Sequence, residues 1–343
     1  MAEVKKVQQS KAKKIAISLL LTLMMLVTAQ AAEITSVIPI GHTVGIQMSA
    51  DGVLVVRLND VQTADGAVCP ARDAGVAEGD MIVKVNGAEV ASNDEMQKQI
   101  ALSAGQPVEL EILRNGETQT VTATPRADTD GVYRIGVLAR DSMAGIGTLT
   151  YVDPETGAYG SLGHGICDGE TGVLMPLKEG SVLYSVVGSV QRGEVGEPGA
   201  LQGEFQSDVP LGTVNENTES GIFGTLTDSS LYSSLESVPV AAADEIKVGE
   251  AEILANVEGD KVQSYSVQVV KIYPQDDEYG RGMMLRVTDQ ALLGKTGGIV
   301  QGMSGSPVLQ NGKIIGAVTH VMVNDPTCGY AIGIERMLEE MTN

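Results

Sequence analysis

The chain has 343 residues and a formal charge of −21, with 44 Asp and Glu set against 23 Lys and Arg. That acidity excludes a nucleic-acid binder, which needs a basic surface to replace the counterions of phosphate. Forty-one glycines, no Trp and only two Phe, with many short Val/Ile/Thr runs ending in Gly, Asn or Asp, describe a mainly β protein with tight turns and few helices. The length suits about two domains.

At the N-terminus Lys5, Lys6, Lys11, Lys13 and Lys14 precede the apolar run "IAISLLLTLMMLVTA", residues 15–29, and the small-residue pattern "AQA" ends at Ala31. A charged stretch, an apolar stretch and a small-residue site are the layout of an export signal over residues 1–32. The run falls short of the roughly 20 residues that cross a bilayer comfortably. A cleaved signal and a retained membrane anchor therefore both stay open, and in either case the residues after about 32 are exported.

Residues 36–126 alternate as short strands, with turn signals at Asn86-Gly87 and Asn115-Gly116. Ser92 with Glu95 three residues on, and Met96 and Ile100 on one face, predict a helix over 92–103. Residues 127–140 read as a short polar linker that ends in the strand-like "YRIGVLAR". From 141 to 343, short strands between glycine-containing turns indicate a sandwich or a pair of barrels rather than βαβ units. The polar, acidic 193–220 stretch reads as a surface loop, and "ERMLEEM" near the C-terminus as a helix. Cys69, Cys167 and Cys328 have no metal-ligand spacing and an odd count, so they read as buried apolar thiols. No metal and no cofactor is expected.

The chemistry concentrates in "QGMSGSPVLQNGKIIGAVTHV", residues 301–321. Ser304 is inert as a nucleophile unless a base lies within hydrogen-bond reach. Gly302 and Gly305 allow a tight turn that exposes its hydroxyl, and in a trypsin-like conformation the N–H groups of Gly302 and Ser304 form an oxyanion hole. Ser306 reads as a packing residue. Asn311-Gly312 then returns the chain as a hairpin, whereas an esterase or lipase would want a strand, an elbow and a helix.

Three histidines could supply the base. His42 reads as a surface residue and His320 as a packed strand residue. His164, at a strand end between Gly163 and Gly165, is favoured. Asp141, Asp153, Asp168, Asp289 and Asp325 are candidates to orient the ring. Asp289 is preferred because it closes the apolar strand "GMMLRVTD", although it reads equally well as a cap for the adjoining "QALLG".

Two resemblances add to these readings. The phrase "AGVAEGDMIVKVNGAEV" makes 36–126 resemble a PDZ domain of the bacterial HtrA-like type. That resemblance implies that Thr43, Val44, Gly45 and Ile46 form the loop that captures the terminal carboxylate of a ligand peptide, which adds as a strand beside the 92–103 helix. An empty groove, or one filled by the protein's own chain, is the alternative.

The stretches "DSMAGIGTLTYVDPETGAYGSLGHGICD", 141–168, and "GGIVQGMSGSPVLQNGKIIGAVTHVMVNDPTCGYAIGIE", 297–335, resemble the SpoIVB peptidase family of endospore-forming bacteria, and "VIPIGHTVGIQMSADGVLVV" extends the likeness to essentially the whole chain. The resemblance implies a PDZ domain succeeded by a divergent trypsin-like double β-barrel at 141–343, with a His164, Asp289, Ser304 triad. In typical trypsin-like enzymes the Asp lies much farther upstream of the Ser. Met303 stands where trypsin-type zymogens carry the Asp that pairs with a newly cut N-terminus, so that activation is not available.

The family's role is cleavage of a regulatory membrane protein, the partner of an intramembrane protease that processes a sporulation sigma factor. It works in the space between mother cell and forespore, with self-cleavage and control through the PDZ domain. The contrasting expectation is an exported PDZ adaptor whose peptidase domain has become an inactive scaffold.

Overall fold

A long strand organises the N-terminal half. Strand β1, Thr43–Leu58, carries two apolar patterns in succession. Val44, Ile46, Met48 and Ala50 share one face and pack into one core, whereas Val53 and Val55 belong to a second. Successive side chains point to opposite faces of a strand, so a single strand serves two cores by changing which face it buries. The computed structural model describes residues 34–274 and 281–341. The stretch 1–32, expected to be an export signal, lies outside them, and no described helix is long and apolar enough to cross a membrane.

The second half of β1 enters the PDZ domain. It pairs at Val53 and Leu54 with β2, Met81–Val85. Strand β2 pairs with β3, Val108–Arg114, which forms a hairpin with β4, Glu117–Ala123. Helix α1, Pro70–Asp73, and helix α2, Asn93–Leu102, complete the domain. Ser92 starts α2 as the sequence predicts, accepting the Glu95 N–H at 3.2 Å, while the Glu95 carboxylate accepts the Ala91 N–H at 2.8 Å. Asn86, Asn115 and Asn311 each have φ of 52° and each precede a positive-φ glycine. Two left-handed residues in a row are what the tight hairpin turn demands.

The chain leaves the PDZ domain along β5, Val137–Val152. Its first part pairs with the PDZ half of β1, Val137 opposite Leu58 and Arg140 opposite Leu54; its last part pairs with the start of β1, Gly145 opposite Ile46 and Thr148 opposite Thr43. Strands β6, Ala158–Ser161, β7, Glu179–Gln191, β8, Ala200–Thr218, and β9, Gly221–Leu226, come next. The pairings β1–β5, β5–β6, β6–β9, β9–β8, β8–β7 and β7–β1 close a six-stranded antiparallel barrel. Strands β10, Gly249–Asn256, β11, Val262–Ile272, β12, Met283–Val287, β13, Pro307–Gln310, β14, Lys313–Val321, and β15, Cys328–Gly333, close a second. Helix α3, Gln290–Thr296, connects β12 to the 297–306 turn, and α4, Ile334–Met341, ends the described chain as expected.

The architecture is mainly β: a double barrel carrying a PDZ domain. Three expectations change. The PDZ domain does not precede the first barrel; it is inserted between two adjacent staves, β1 and β5, so a boundary at 126 and a linker at 127–140 do not describe it. Residues 133–141 run beside α2, with Gln97 Nε2 donating to the Tyr133 carbonyl and Asn93 Nδ2 to that of Ala139. The expected surface loop at 193–220 contains all of β8, which pairs along both edges.

The third change concerns Thr43, Val44, Gly45 and Ile46. They are a barrel stave, buried and paired with β5 on one edge and β7 on the other. Their N–H groups are spent on neighbouring strands, so they cannot capture a carboxylate. The space beside α2 holds the protein's own chain. Because Ile46 lies in the barrel core at 3% exposure, we expect Ile46→Ala to lower unfolding stability by about 2–5 kcal/mol. A loop position would lose less than about 0.5 kcal/mol, and denaturant titration of the full chain separates the two.

Candidate active site

The 301–306 turn sits at the seam of the two barrels and is fastened to β5. Thr148 donates its hydroxyl to the Gly302 carbonyl at 2.7 Å and its N–H to the Ser304 carbonyl at 2.9 Å. Gly302 and Gly305 have φ of 95° and 96°, a region open to glycine and strained for other residues. A Cβ on Gly305 would come within 2.0 Å of the Thr148 carbonyl oxygen, so glycine is the residue that lets the two barrels touch there. No described carbonyl accepts the N–H of Gly302 or of Ser304, which leaves this pair available to a developing oxyanion. Ser306 is fully buried, as a packing residue should be.

His164 reaches the same seam from the first barrel. Leu162 and Gly163, with φ of 66° and 70°, bend the chain out of β6. A left-handed leucine stores roughly 1–3 kcal/mol of backbone strain, which persists where surrounding structure fixes it. The His164 ring places Nδ1 2.9 Å from the Gly165 carbonyl oxygen. A carbonyl can only accept, so Nδ1 carries the proton and Nε2 keeps its lone pair.

A cavity of about 480 Å³ opens between the barrels, with Ser304, Gly302, His164 and His320 in its wall. His320 was expected to be a packed strand residue; it is exposed at the end of β14, with its ring centroid 4.8 Å from that of His164. The Ser304 hydroxyl donates to the Thr319 carbonyl at 2.6 Å. Burial lowers the pKa of His164 below the ordinary imidazole value. Partial desolvation on the ring's cavity side, and then the neighbouring His164, does the same for His320. Thr319 was missed as a site residue, whereas His320 was weighed as a base and set behind His164. The signal available was the Asn311-Gly312 hairpin, which must return its second strand behind the serine.

Asp289 is not in this wall. Its carboxylate accepts the N–H groups of Ala291 and Leu292, both at 2.9 Å, and caps α3. Of the two sequence readings, the cap is the arrangement present. The other candidates are held elsewhere: Asp141 by the Asn93 N–H, Asp153 by the Thr156 hydroxyl, Asp168 by Arg140 and Asp325 by Thr327. Among the described residues no carboxylate is hydrogen-bonded to either cavity histidine.

Two further expectations are corrected. His42 is buried rather than on the surface, its Nδ1 2.7 Å from the Thr43 carbonyl and its ring 5.4 Å from that of Tyr184. All three cysteines are free, but Cys167 is exposed, unlike Cys69 and Cys328.

A double β-barrel with a serine turn and a histidine at its seam defines a serine peptidase. Residues 131–338 match the family described as SpoIVB peptidase S55, and residues 43–124 match the PDZ domain family. The chain belongs to the SpoIVB peptidase family. Among curated proteins it is 35% identical over 68 residues to a Clostridium perfringens protein described as a zinc metalloprotease, covering 20% of each chain. It is 30% identical over 106 residues to the zinc metalloprotease RasP of Geobacillus kaustophilus, covering 31% of this chain and 22% of that one. The chain thus spans about a fifth of the length of these relatives.

Among solved structures, the PDZ domain of an SdrC-like protein of Listeria monocytogenes is 22% identical over 26% of this chain and 90% of its own, with a TM-score of 0.21. The Rv3671c protease of M. tuberculosis in its active form is 16% identical over 58% of this chain and 74% of its own, with a TM-score of 0.35.

Two measurable outcomes come from the site. Asp289→Ala removes the α3 cap and should lower stability by about 1 kcal/mol, whereas Asp289→Asn, an equally good cap, should change it by a few tenths; thermal denaturation of both variants checks this. His42 and His164 have folded pKa values depressed from 6.5 by burial. The unfolded chain therefore binds protons that the folded chain refuses. Their contribution to stability is complete above about pH 6.5 and is lost as pH falls through the depressed values, so the denaturation midpoint should drop between pH 7.5 and pH 5.5.

Proposed function

We propose that this protein is an exported serine endopeptidase in which Ser304 is the nucleophile and His164 its base. The observation that carries the reading is the convergence of Ser304, His164 and the free N–H groups of Gly302 and Ser304 on one cavity. In the reaction, the Ser304 hydroxyl leaves the Thr319 carbonyl and gives its proton to His164 Nε2 as Oγ attacks the peptide carbonyl. The oxyanion is met by the Gly302 and Ser304 N–H groups. The imidazolium then protonates the leaving amine, and water repeats the sequence to release the acid. The Gly165 carbonyl holds the His164 tautomer, the part an Asp plays in the usual triad.

The substrate is a protein. Family likeness supports a regulatory membrane protein, the partner of an intramembrane protease, cut in the space between mother cell and forespore as a signal for a late sporulation sigma factor, together with self-cleavage. The Lys-rich start and apolar run of residues 1–32 support export to that space, with or without a retained anchor. A peptide bound by the PDZ domain would have to displace residues 133–141 from α2.

Ser304→Ala should cut kcat on a protein substrate by about 10⁴-fold or more while leaving circular dichroism unchanged. Undiminished cleavage would leave only the adaptor reading. Because His164 must be neutral to act and its pKa is depressed, the acid limb of kcat/KM should have its midpoint below pH 6.5. A midpoint above 7 would assign the base to another group.

A further inference from the structure

We infer that His164 and His320 together hold one zinc ion reversibly, and that the ion silences the enzyme while it is bound. The site stands on the geometry of the two imidazoles. Its inhibitory effect rests on the reading of His164 as the base for Ser304.

The two rings meet in one cavity from opposite barrels, His164 at the bend after β6 and His320 at the end of β14. Their centroids are 4.8 Å apart and their planes are tilted by 35°. With Zn–N bonds of about 2.0–2.1 Å and a tetrahedral angle at the metal, two imidazoles on one ion have centroids roughly 5 Å apart. The spacing a shared ion needs is thus already present. Both rings also have a lone pair to give. The Gly165 carbonyl accepts the Nδ1 proton of His164 at 2.9 Å, which leaves Nε2 as an acceptor. A carbonyl behind the distal nitrogen is the support that usually orients a metal-binding imidazole. The His320 ring has no hydrogen-bond partner among the described residues, and its exposed position gives it room to turn toward the ion.

The rest of the wall decides which ion and how tightly. No Asp, Glu, Lys or Arg among the described residues lines the cavity. Calcium and magnesium, which need carboxylate oxygens, find nothing to hold them, whereas zinc accepts imidazole nitrogen. A chain of formal charge −21 draws cations toward its surface. Among the described residues no three His, Cys, Asp or Glu side chains are grouped to share a metal ion. Two protein ligands completed by water make a site with a Kd on the order of micromolar, weaker than a closed structural site. Such an ion is an effector that follows its free concentration, not a resident cofactor. On His164 Nε2 it occupies the lone pair that must take the Ser304 proton, so hydrolysis stops until the ion leaves.

The test uses the full chain, stripped with EDTA, and zinc alone as the probe. Isothermal titration should find one such zinc per chain, and His320→Gln and His164→Gln should each weaken it at least about tenfold. Labelling of Ser304 by a small alkyl fluorophosphonate is read for each variant against its own zinc-free rate. In the wild type it should slow about tenfold with zinc at about ten times its Kd, recover when EDTA is added, and ignore calcium and magnesium at the same concentration. In His320→Gln the zinc concentration that halves labelling should rise at least about tenfold. Cys167→Ser, which removes the other soft ligand in the cavity wall, should bind zinc as the wild type does. Zinc affinity unchanged in His320→Gln, or lost in Cys167→Ser, would overturn the site and leave the nucleophile standing. Zinc bound at the pair with undiminished labelling would overturn the inhibition and the reading of His164 as base. Failure of the zinc-free wild type to label would overturn Ser304 as nucleophile, with the titration still deciding the site.

Discussion

Thr148 is the point on which the rest of the site depends. It is 1% exposed, and every polar atom it has joins the two barrels or the two chemical loops. Its hydroxyl and N–H hold the carbonyls of Gly302 and Ser304, and its own carbonyl accepts the Ser161 hydroxyl at 2.6 Å and lies against the strained Leu162. One residue thereby fixes the nucleophile turn and the bend that presents His164. A buried polar group is costly when unpaired and positions its partners firmly when fully paired. The close approach it requires is open because position 305 has no side chain.

Much of this was legible in the sequence, for identifiable reasons. The Asn-Gly turns and the Ser92 cap are local chemistry, and local chemistry is written in adjacent residues. His164 and Ser304 stood out because glycines flank each of them. The illegible parts depend on pairing partners far away. "TVGI" reads the same whether it is a loop that binds a carboxylate or a stave closed on both edges, since nothing local reports what occupies its edges. Strand β8 passed for a loop because its exposed positions include the charged Glu204 and Glu216. Asp289 had two readings of equal merit, and the two free N–H groups at the start of α3 claimed it.

Among the described residues no carboxylate meets His164, and this changes the electrostatics of the site. A carboxylate partner would raise the imidazole pKa and stabilise the imidazolium, whereas a carbonyl fixes the tautomer with a weaker hold on the charge. Burial keeps the base neutral in mildly acidic surroundings, at the expense of proton affinity, and His164 in turn opposes a charge on its neighbour His320. The cavity's uncharged wall belongs to the same design, because a dry, apolar surround strengthens the few dipoles aimed at the reacting carbonyl.

The insertion of the PDZ domain between β1 and β5 makes it a hairpin tip rather than an appendage. Its two connections are the continuing backbones of neighbouring barrel strands, and one of them is the strand that carries Thr148. A pull, twist or cut applied to the PDZ domain is delivered in shear to staves already bonded to each other. Deleting the domain across its apparent linker would take β1 with it and leave a barrel with an open seam beside the serine. For this chain, the recognition module and the catalytic wall are one continuous piece of sheet.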